Sequence, residues 1–556
     1  MNTRTTLACT FLALLIATTL SGCGETLDTK EKAEAKIAEL VQTDIQPTQR
    51  ENQYRANIQL TRTNLLAMLP DLAEYPLLLD VTDSNDTEVA EIFTSADKAG
   101  KGLDGVYLEL AENFNQQRQT LSNGKTAAIT IRKLDSGLGA QFIMTGQYLA
   151  EAYSPANALW GSLVNSSSNK LTTIADVTAS SVGGVIARKT KLDLITTDGK
   201  LDVAKLLTNV SSGEFAMGYT NPYQSATGLN FLITVLDAFA KGDHTQMLSP
   251  DVASAFEAFQ LGVPFVAQNT LQMRDAAMGS GVLDGFVGSE QTWLSTTGMD
   301  DYQFVPFGVR HDNPLYATSE ADPAELETLK LFAKYITTQK SVLTKYGFET
   351  SLDYKNAYKI PDGNTIAQAQ KLWKQKKSGG KPVAAVFVTD SGSMEGERIK
   401  NLKKALIESS DLISANNAIG LVSYNDAVNV DLPINPFNVQ QKSLFNGAVE
   451  QLSVGGKTAT YSATLVAANL LSEFKKTHPD YKTVIFVLSD GETNMGVDFE
   501  QTKTLLELVG IPIHTIAYEL SSPELKEMAS LAEGAYTESS AGSASFRIGN
   551  LLNSEM

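Results

Sequence analysis

Val383-Ala384-Ala385-Val386-Phe387-Val388-Thr389-Asp390-Ser391-Gly392-Ser393-Met394 is the stretch on which the fold turns, an unbroken apolar run that stops in hydroxyls and a carboxylate. A run of this kind, too short for a core helix and rich in β-branched residues, is what a strand buried on both faces requires. The pattern recurs downstream. It predicts helices over Ile399 to Ile413, Ser462 to Lys475, Phe499 to Val509 and Pro523 to Ala532, with strands over Ala418 to Tyr424, Thr483 to Ser489 and Ile511 to Tyr518. Continuous apolar strands between helices predict a doubly wound parallel sheet, whose ligands collect outside the carboxyl ends of the strands. Three loops at those ends carry oxygen ligands, at 389–394, 455–459 and 489–492. Hydroxyls and carboxylates suit a hard divalent cation such as Mg²⁺ or Mn²⁺.

These loops resemble the metal ion-dependent adhesion site of the von Willebrand factor type A domain, and the resemblance runs over 381–556. Residue by residue it implies Ser391 and Ser393 as the serines of the family's first loop, Thr458 as its lone threonine and Asp490 as its later aspartate. It also implies a Rossmann-like sheet and a metal that keeps one position open for a carboxylate of a partner protein. One departure matters: the family's first loop reads Asp-x-Ser-x-Ser, whereas here Thr389 stands where the aspartate belongs and Asp390 directly precedes Ser391. Successive strand residues point to opposite faces, so either Asp390 or Thr389 faces the metal position, depending on how the strand ends.

A chain of 556 residues exceeds what one core serves, so more than one domain is expected. The sequence has 43 % apolar and 19 % charged residues, the composition of a water-soluble globular protein. With 63 acidic against 45 basic residues its formal net charge is -18, which repels phosphate backbones and argues against nucleic acid as a partner. The only cysteines are Cys9 and Cys23, which excludes a disulfide framework or a cysteine metal cluster downstream. Gly456-Lys457-Thr458 mimics the tail of a phosphate-binding loop, but the glycine that loop needs is replaced by Gln451. No histidine stands near Ser391 or Ser393, and no Gly-x-Ser-x-Gly turn exists, so no enzyme activity is expected.

Before the first strand of that domain, residues 54–354 alternate strand and helix patterns, among them Pro76 to Val81, Glu88 to Phe93, Ala127 to Lys133, Val182 to Arg188 and Phe215 to Tyr219. Several strands run into loops rich in Ser, Thr and Gly that open helices, where hydroxyls and free amides can hold an anion or polar ligand. The pieces Gly218-Tyr219-Thr220-Asn221-Pro222, Ala152 to Trp160 and Ser136-Gly137 resemble the extracellular solute-binding proteins of ABC transporters, in the molybdate-type branch. That resemblance implies two lobes closing over a small polar solute or oxyanion, with Ser95, Ser136, Tyr223, Ser225 and Thr227 as candidate cleft residues. The same hydroxyls are also ordinary helix caps. Residues 355–380 read as a connector: a helix over Asn364 to Lys377 with Trp373 as its large apolar anchor, then a hinge at 378–380.

At the N-terminus, Leu7 to Leu20 is an apolar run followed by Leu20-Ser21-Gly22-Cys23, which resembles a bacterial lipoprotein signal. It implies a signal peptide over 1–22, lipidation of Cys23 and a membrane anchor. Residues 23–53 then read as a polar stalk, with few apolar positions beyond Ile37 and Leu40. Together these features lead us to expect a lipid-anchored protein of the bacterial cell envelope, exported from the cytoplasm. Its expected role is metal-dependent protein recognition or adhesion, the alternative being the solute receptor of an ABC-type transport system.

Overall fold

The computed structural model describes residues 27–556 apart from 51–53, 57–67, 80, 82–84, 168–169, 281–282, 352, 378, 380, 391–393, 395, 490–492, 533 and 541. Cys23, the signal sequence, Ser391, Ser393 and Asp490 therefore lie outside the described residues.

Residues 87–317 supply the sheets of two α/β lobes, and the helix Pro323–Thr338 packs into the core of the first. The first holds a five-stranded sheet in the order Thr126–Lys133, Thr87–Thr94, Ala152–Ser154, Leu315–Ala317, Thr172–Ala175; the second holds Phe265–Ala267, Met217–Thr220, Gly285–Ser289, Ser181–Arg188, Tyr302–His311. The chain crosses between the lobes near residues 176–180 and again at 311–315, and the two crossings bond to each other. Thr178 N donates to Asp312 O (3.0 Å), Thr178 Oγ1 to Asn313 O (2.5 Å), and Asn313 Nδ2 to Ala179 O (2.5 Å). Four of the expected strands are present with shifted ends; among the described residues of 76–81, Leu77 makes an isolated bridge to Arg132 in place of a strand.

The third sheet has seven strands in the order Thr48–Gln49, Val428–Pro436, Ala418–Tyr424, Val383–Asp390, Lys482–Ser489, Ile513–Tyr518, Tyr536–Ser539. Helices cover both of its faces, which is why Val383–Asp390 is buried at every position. The sheet departs from the all-parallel expectation at Val428–Pro436, which runs antiparallel to Ala418–Tyr424. A tight turn at Asn425 to Ala427, with Asn425 N bonded to Ala427 O (3.1 Å), joins these two strands, and such a turn permits only an antiparallel pair.

Two segments differ from the linkers expected of them. Instead of a stalk, residues 27–50 lie against the seven-stranded module: in the helix Lys30–Leu40, Ala33, Ile37 and Leu40 recur on one face and are buried in its core. Thr48 and Gln49 then add a parallel edge strand beside Asn429 and Val430, and Arg50 pairs with Asp431 (3.2 Å). The connector helix Gly363–Lys376 packs into the lobes, where Trp373 is fully buried and its Nε1 donates to Tyr219 Oη (2.6 Å).

Candidate functional site

The crest of the seven-stranded sheet is assembled by strand alternation and by two loops. Ala384, Val386 and Val388 enter the core shared with the helix Thr460–Thr477, while Val383, Ala385 and Phe387 enter the opposite core. Alternation continues this to the strand end, so Asp390 shares a face with Val388 and Thr389 shares the other with Phe387. Asp390 stands opposite Tyr424 in register, and Tyr424 Oη accepts from Thr460 Oγ1 (3.1 Å). The face of Asp390 is thus the one from which Thr458 and its helix arise. Thr389 and Asp390 are both fully buried, and Thr389 Oγ1 donates toward Asp390 O (3.4 Å).

Thr458, 2 % exposed, is fixed by residues that follow Asp490: its N–H donates to Asn494 Oδ1 (2.9 Å), and its carbonyl accepts from Asn494 N (3.0 Å). Val497 N donates to Ser462 Oγ (3.0 Å), and Lys457 N donates to Asp426 Oδ1 (3.1 Å). The loops at 455–459 and 493–497 are therefore stitched together beside the end of Val383–Asp390. Of the residues expected at a metal, the structure brings Asp390 and Thr458 to one face and puts Thr389 on the other. A buried carboxylate and a hydroxyl at converging strand ends suit a hard cation. Sequence reasoning passed over Asp426, Tyr424 and Asn494; the polar triplet Asn425-Asp426-Ala427 between two apolar runs was the signal for the first of these.

Between the lobes, a small cavity of about 30 Å³ is lined by Ser95, Ser136, Ser225 and Thr227, with Asp97, Asp135, Gln224, Asn269, Thr270 and His311 beside them. That space holds one or two waters, so the lobes are closed. Backbone and side-chain hydrogen bonds across the lobes accompany the closure. Gly137 N donates to Gln224 O (2.9 Å), Asn157 Nδ2 to Ala226 O (3.1 Å), and Asn269 Nδ2 to Asp135 Oδ2 (3.4 Å). The hydroxyls bond one another: Thr220 Oγ1 donates to Ser225 Oγ (2.8 Å), Ser225 Oγ lies 2.8 Å from Thr227 Oγ1, and that oxygen lies 3.1 Å from Thr270 Oγ1. Ser225 also caps the helix Ala226–Phe239 through Gly228 N (3.4 Å). Tyr223 is not among the lining residues; its ring packs 5.9 Å from that of Trp373.

The electrostatics of the cleft are set by burial. Burial raises the Asp135 carboxyl, and Arg547 opposes this. Behind the lining, burial pushes the Lys98 ammonium down to about 7, while Asp97 pulls the other way. Lys98 Nζ donates to Ser154 O (2.7 Å) and Ser154 Oγ (3.2 Å). Burial, reinforced by Lys98, pushes His311 down to about 3, so its imidazole is neutral, 3.3 Å from Asn230 Nδ2. Asp135 belongs to the loop that opens the helix Ser136–Thr145, whereas His311 and Asn269 come from distant positions and form no local motif that could have announced them.

Residues 385–547 match the family model described as von Willebrand factor type A domain. No curated protein matches the chain in sequence. Among solved structures, it is similar to "von Willebrand factor type A from Catenulispora acidiphila", with 16 % identity and a TM-score of 0.29 over 31 % of this chain and 42 % of that one. The chain thus spans less than half of that protein. It is also similar to a periplasmic thiamin binding protein (10 % identity, TM-score 0.39, 54 % of this chain and 99 % of that one). A third similar structure is the periplasmic molybdate-binding protein of Azotobacter vinelandii (12 % identity, TM-score 0.30, 47 % and 100 %). Among the described residues no helix is long and apolar enough to cross a membrane.

Proposed function

We propose that this chain is a lipid-anchored protein of the bacterial cell envelope that recognises a protein partner through its von Willebrand factor type A domain, with Mg²⁺ or Mn²⁺ at the crest of the sheet. The observation that carries the reading is the segregation of polar groups in that module. The strand Val383–Asp390 is apolar until its carboxyl end, where Asp390 lies on the face of Thr458. A metal there would draw on Asp390 and Thr458, with Ser391, Ser393 and Asp490 supplied by the sequence motif, and would offer a Lewis-acidic position to a partner's carboxylate. The protein is read as a binder and not as an enzyme.

The test is calorimetric titration of the full chain with Mg²⁺ or Mn²⁺, followed by a pull-down with and without the metal. Asp490→Ala and Asp390→Ala should each remove most of the heat, because a hard cation leans on every negative oxygen near it. Thr389→Asp adds a carboxylate on the opposite face and should leave affinity within a few-fold of the parent. A parent that shows no heat at millimolar metal, while Thr389→Asp gains it, would turn the reading to metal-free docking and make Thr389 the lost ligand position.

A second reading, a receptor for a small polar solute or oxyanion, is favoured by the closed, hydroxyl-lined cavity between the lobes. Screening the full chain against oxyanions and small polar solutes by thermal shift separates it from the first, since a ligand that binds only the folded state raises the melting temperature.

A further inference from the structure

The outer edge of the cleft is covered by the C-terminal module. The last helix, Ala544–Glu555, turns Ile548, Leu551 and Leu552 into the module's own core. Its other side meets both lobes. Phe546, 1 % exposed, belongs to the apolar core of the lobes and not to that of its own module. Against the first lobe, Arg547 stacks over the Tyr75 ring at 5.4 Å and its charge acts on Asp135, while the Ser540 hydroxyl donates to the Glu74 carboxylate. Against the second lobe, Gln224 Nε2 donates to Asn550 Oδ1 (3.3 Å), Gln268 Nε2 to Ser554 Oγ (2.7 Å) and Gln272 Nε2 to Tyr536 O (3.3 Å).

Two of the residues gripped, Asp135 and Gln224, line the inner cavity. They also line a second cavity, of about 760 Å³, whose far wall is Glu538, Ser543 and Arg547 of the C-terminal module. The two cavities thus share part of their wall, and the second is a chamber between modules. Tyr75 Oη and Arg547 Nε, both at this chamber, are buried without a hydrogen-bond partner among the described residues, which leaves two wall donors for a polar solute or water.

We propose that the C-terminal module is the outer wall and clasp of the cleft, so that a small polar solute enters or leaves only when this module lifts off at least one lobe. Opening the lobes separates Asp135 from Gln224, and a helix bonded on both sides cannot follow both. The free energy of opening therefore includes that of breaking the inter-module contact. By linkage, a solute that favours closed lobes strengthens docking, and docking strengthens its binding by the same factor. A partner that draws the C-terminal module away would release the cleft. This inference needs the two-lobed cleft but not the metal, and its test uses neither metal nor solute, so it stands or falls apart from the recognition reading.

The probe is a cysteine inside the cleft. In a full chain with Cys9→Ser and Cys23→Ser, the substitution Thr227→Cys introduces a single thiol, and its reaction with a charged methanethiosulfonate reports access. Adding Asn550→Arg and Ser554→Arg should undock the module and speed labelling at least tenfold, whereas Asn550→Gln with Ser554→Thr should keep the parent rate. Equal rates in the parent and in a protein shown by small-angle scattering to be undocked overturn the proposal. A second arm avoids folding differences by comparing one polypeptide with itself. Gln268→Cys and Ser554→Cys, joined by a short bis-maleimide in the same serine background, should slow amide exchange across 224–229 at least tenfold relative to the unjoined protein. Unchanged exchange after joining overturns it equally.

Discussion

The lobed region and the C-terminal sheet dispose of polar groups in opposite ways. In the three central strands of the sheet module, Val383–Asp390, Ala418–Tyr424 and Lys482–Ser489, the buried polar residues Thr389, Asp390, Ser423 and Ser489 gather at the carboxyl ends, although the neighbouring strand Ile513–Tyr518 buries His514 and Thr515. In the lobes, buried polar residues run through the seam between two sheets: Lys98, Ser154, Thr178, Asn230, His311 and Asn313. One arrangement leaves a single rigid crest on which a ligand can be held; the other places polar contacts where two bodies meet. Close apolar packing on both faces holds the sheet in one arrangement, whereas a seam of hydrogen bonds, costly in intermediate geometries, separates two bodies that can each stay intact when it breaks. The difference teaches where motion belongs in this chain, in the seam and not in the sheet.

The sharpest way to break that contrast is to wedge the seam. A Cβ added to Gly137 would lie 1.9 Å from Tyr223 O and 2.7 Å from Gln224 Cα, backbone atoms of the other lobe that no rotamer change can move aside. Gly137→Val should hold the lobes apart and destabilise the closed form by roughly 3 kcal/mol, the range of an overpacked core. Small-angle scattering should show a larger radius of gyration, and proteolysis should find new sites in the lobes. A protein with parent scattering and melting temperature would mean that this backbone contact does not control the seam.

The legibility of the two regions follows the same contrast. The strand Val383–Asp390 was readable because burial on both faces writes an unbroken apolar run, and Ser136, Ser225 and Thr227, which line the inner cavity, stand at helix starts, where hydroxyls are local signals. The seam was not, since Asp135 meets Asn269, and Asn157 meets Ala226, only after the lobes have folded. The docking of Lys30–Leu40 escaped for a different reason. Its buried face is Ala33, Ile37 and Leu40, three residues among charged neighbours, and alanine counts for little in any hydropathy pattern. Trp373 was legible as an anchor, but nothing local said that it anchors to Tyr219. The helix Ala544–Glu555 carries so mixed a pattern that its double role, core on one side and clasp on the other, could be read only from the assembled chain.

A second test addresses the sheet module. Ile37 is 1 % exposed within its core, so Ile37→Ala should cost about 2–4 kcal/mol by loss of burial and creation of a cavity. In calorimetry the loss should appear in the unfolding of the C-terminal module. A stalk would respond to this change with no shift at all, and that result would remove residues 27–50 from the module.

The last test is a pH dependence of the seam. Burial holds the Lys98 ammonium at about 7, against 10.5 for the ordinary side chain. Because the folded-state value is depressed, the unfolded chain binds the extra proton between these limits, and the group destabilises the fold fully at and below about pH 7. That penalty fades as pH rises toward 10.5, where both states are neutral. Lys98→Met removes the titration while also removing the hydrogen bonds to Ser154, a cost that does not vary with pH. The melting temperature of the parent should therefore gain on that of Lys98→Met between pH 7 and pH 10, by roughly 10 degrees for a domain of this size. Asp97 is the nearest opposing charge and already acts to raise Lys98, so Asp97→Asn should enlarge the gain. Parallel melting curves for parent and Lys98→Met across that range would show that the ammonium finds compensation in the seam, and the contrast between a polar seam and a dry sheet would lose its energetic basis at this residue.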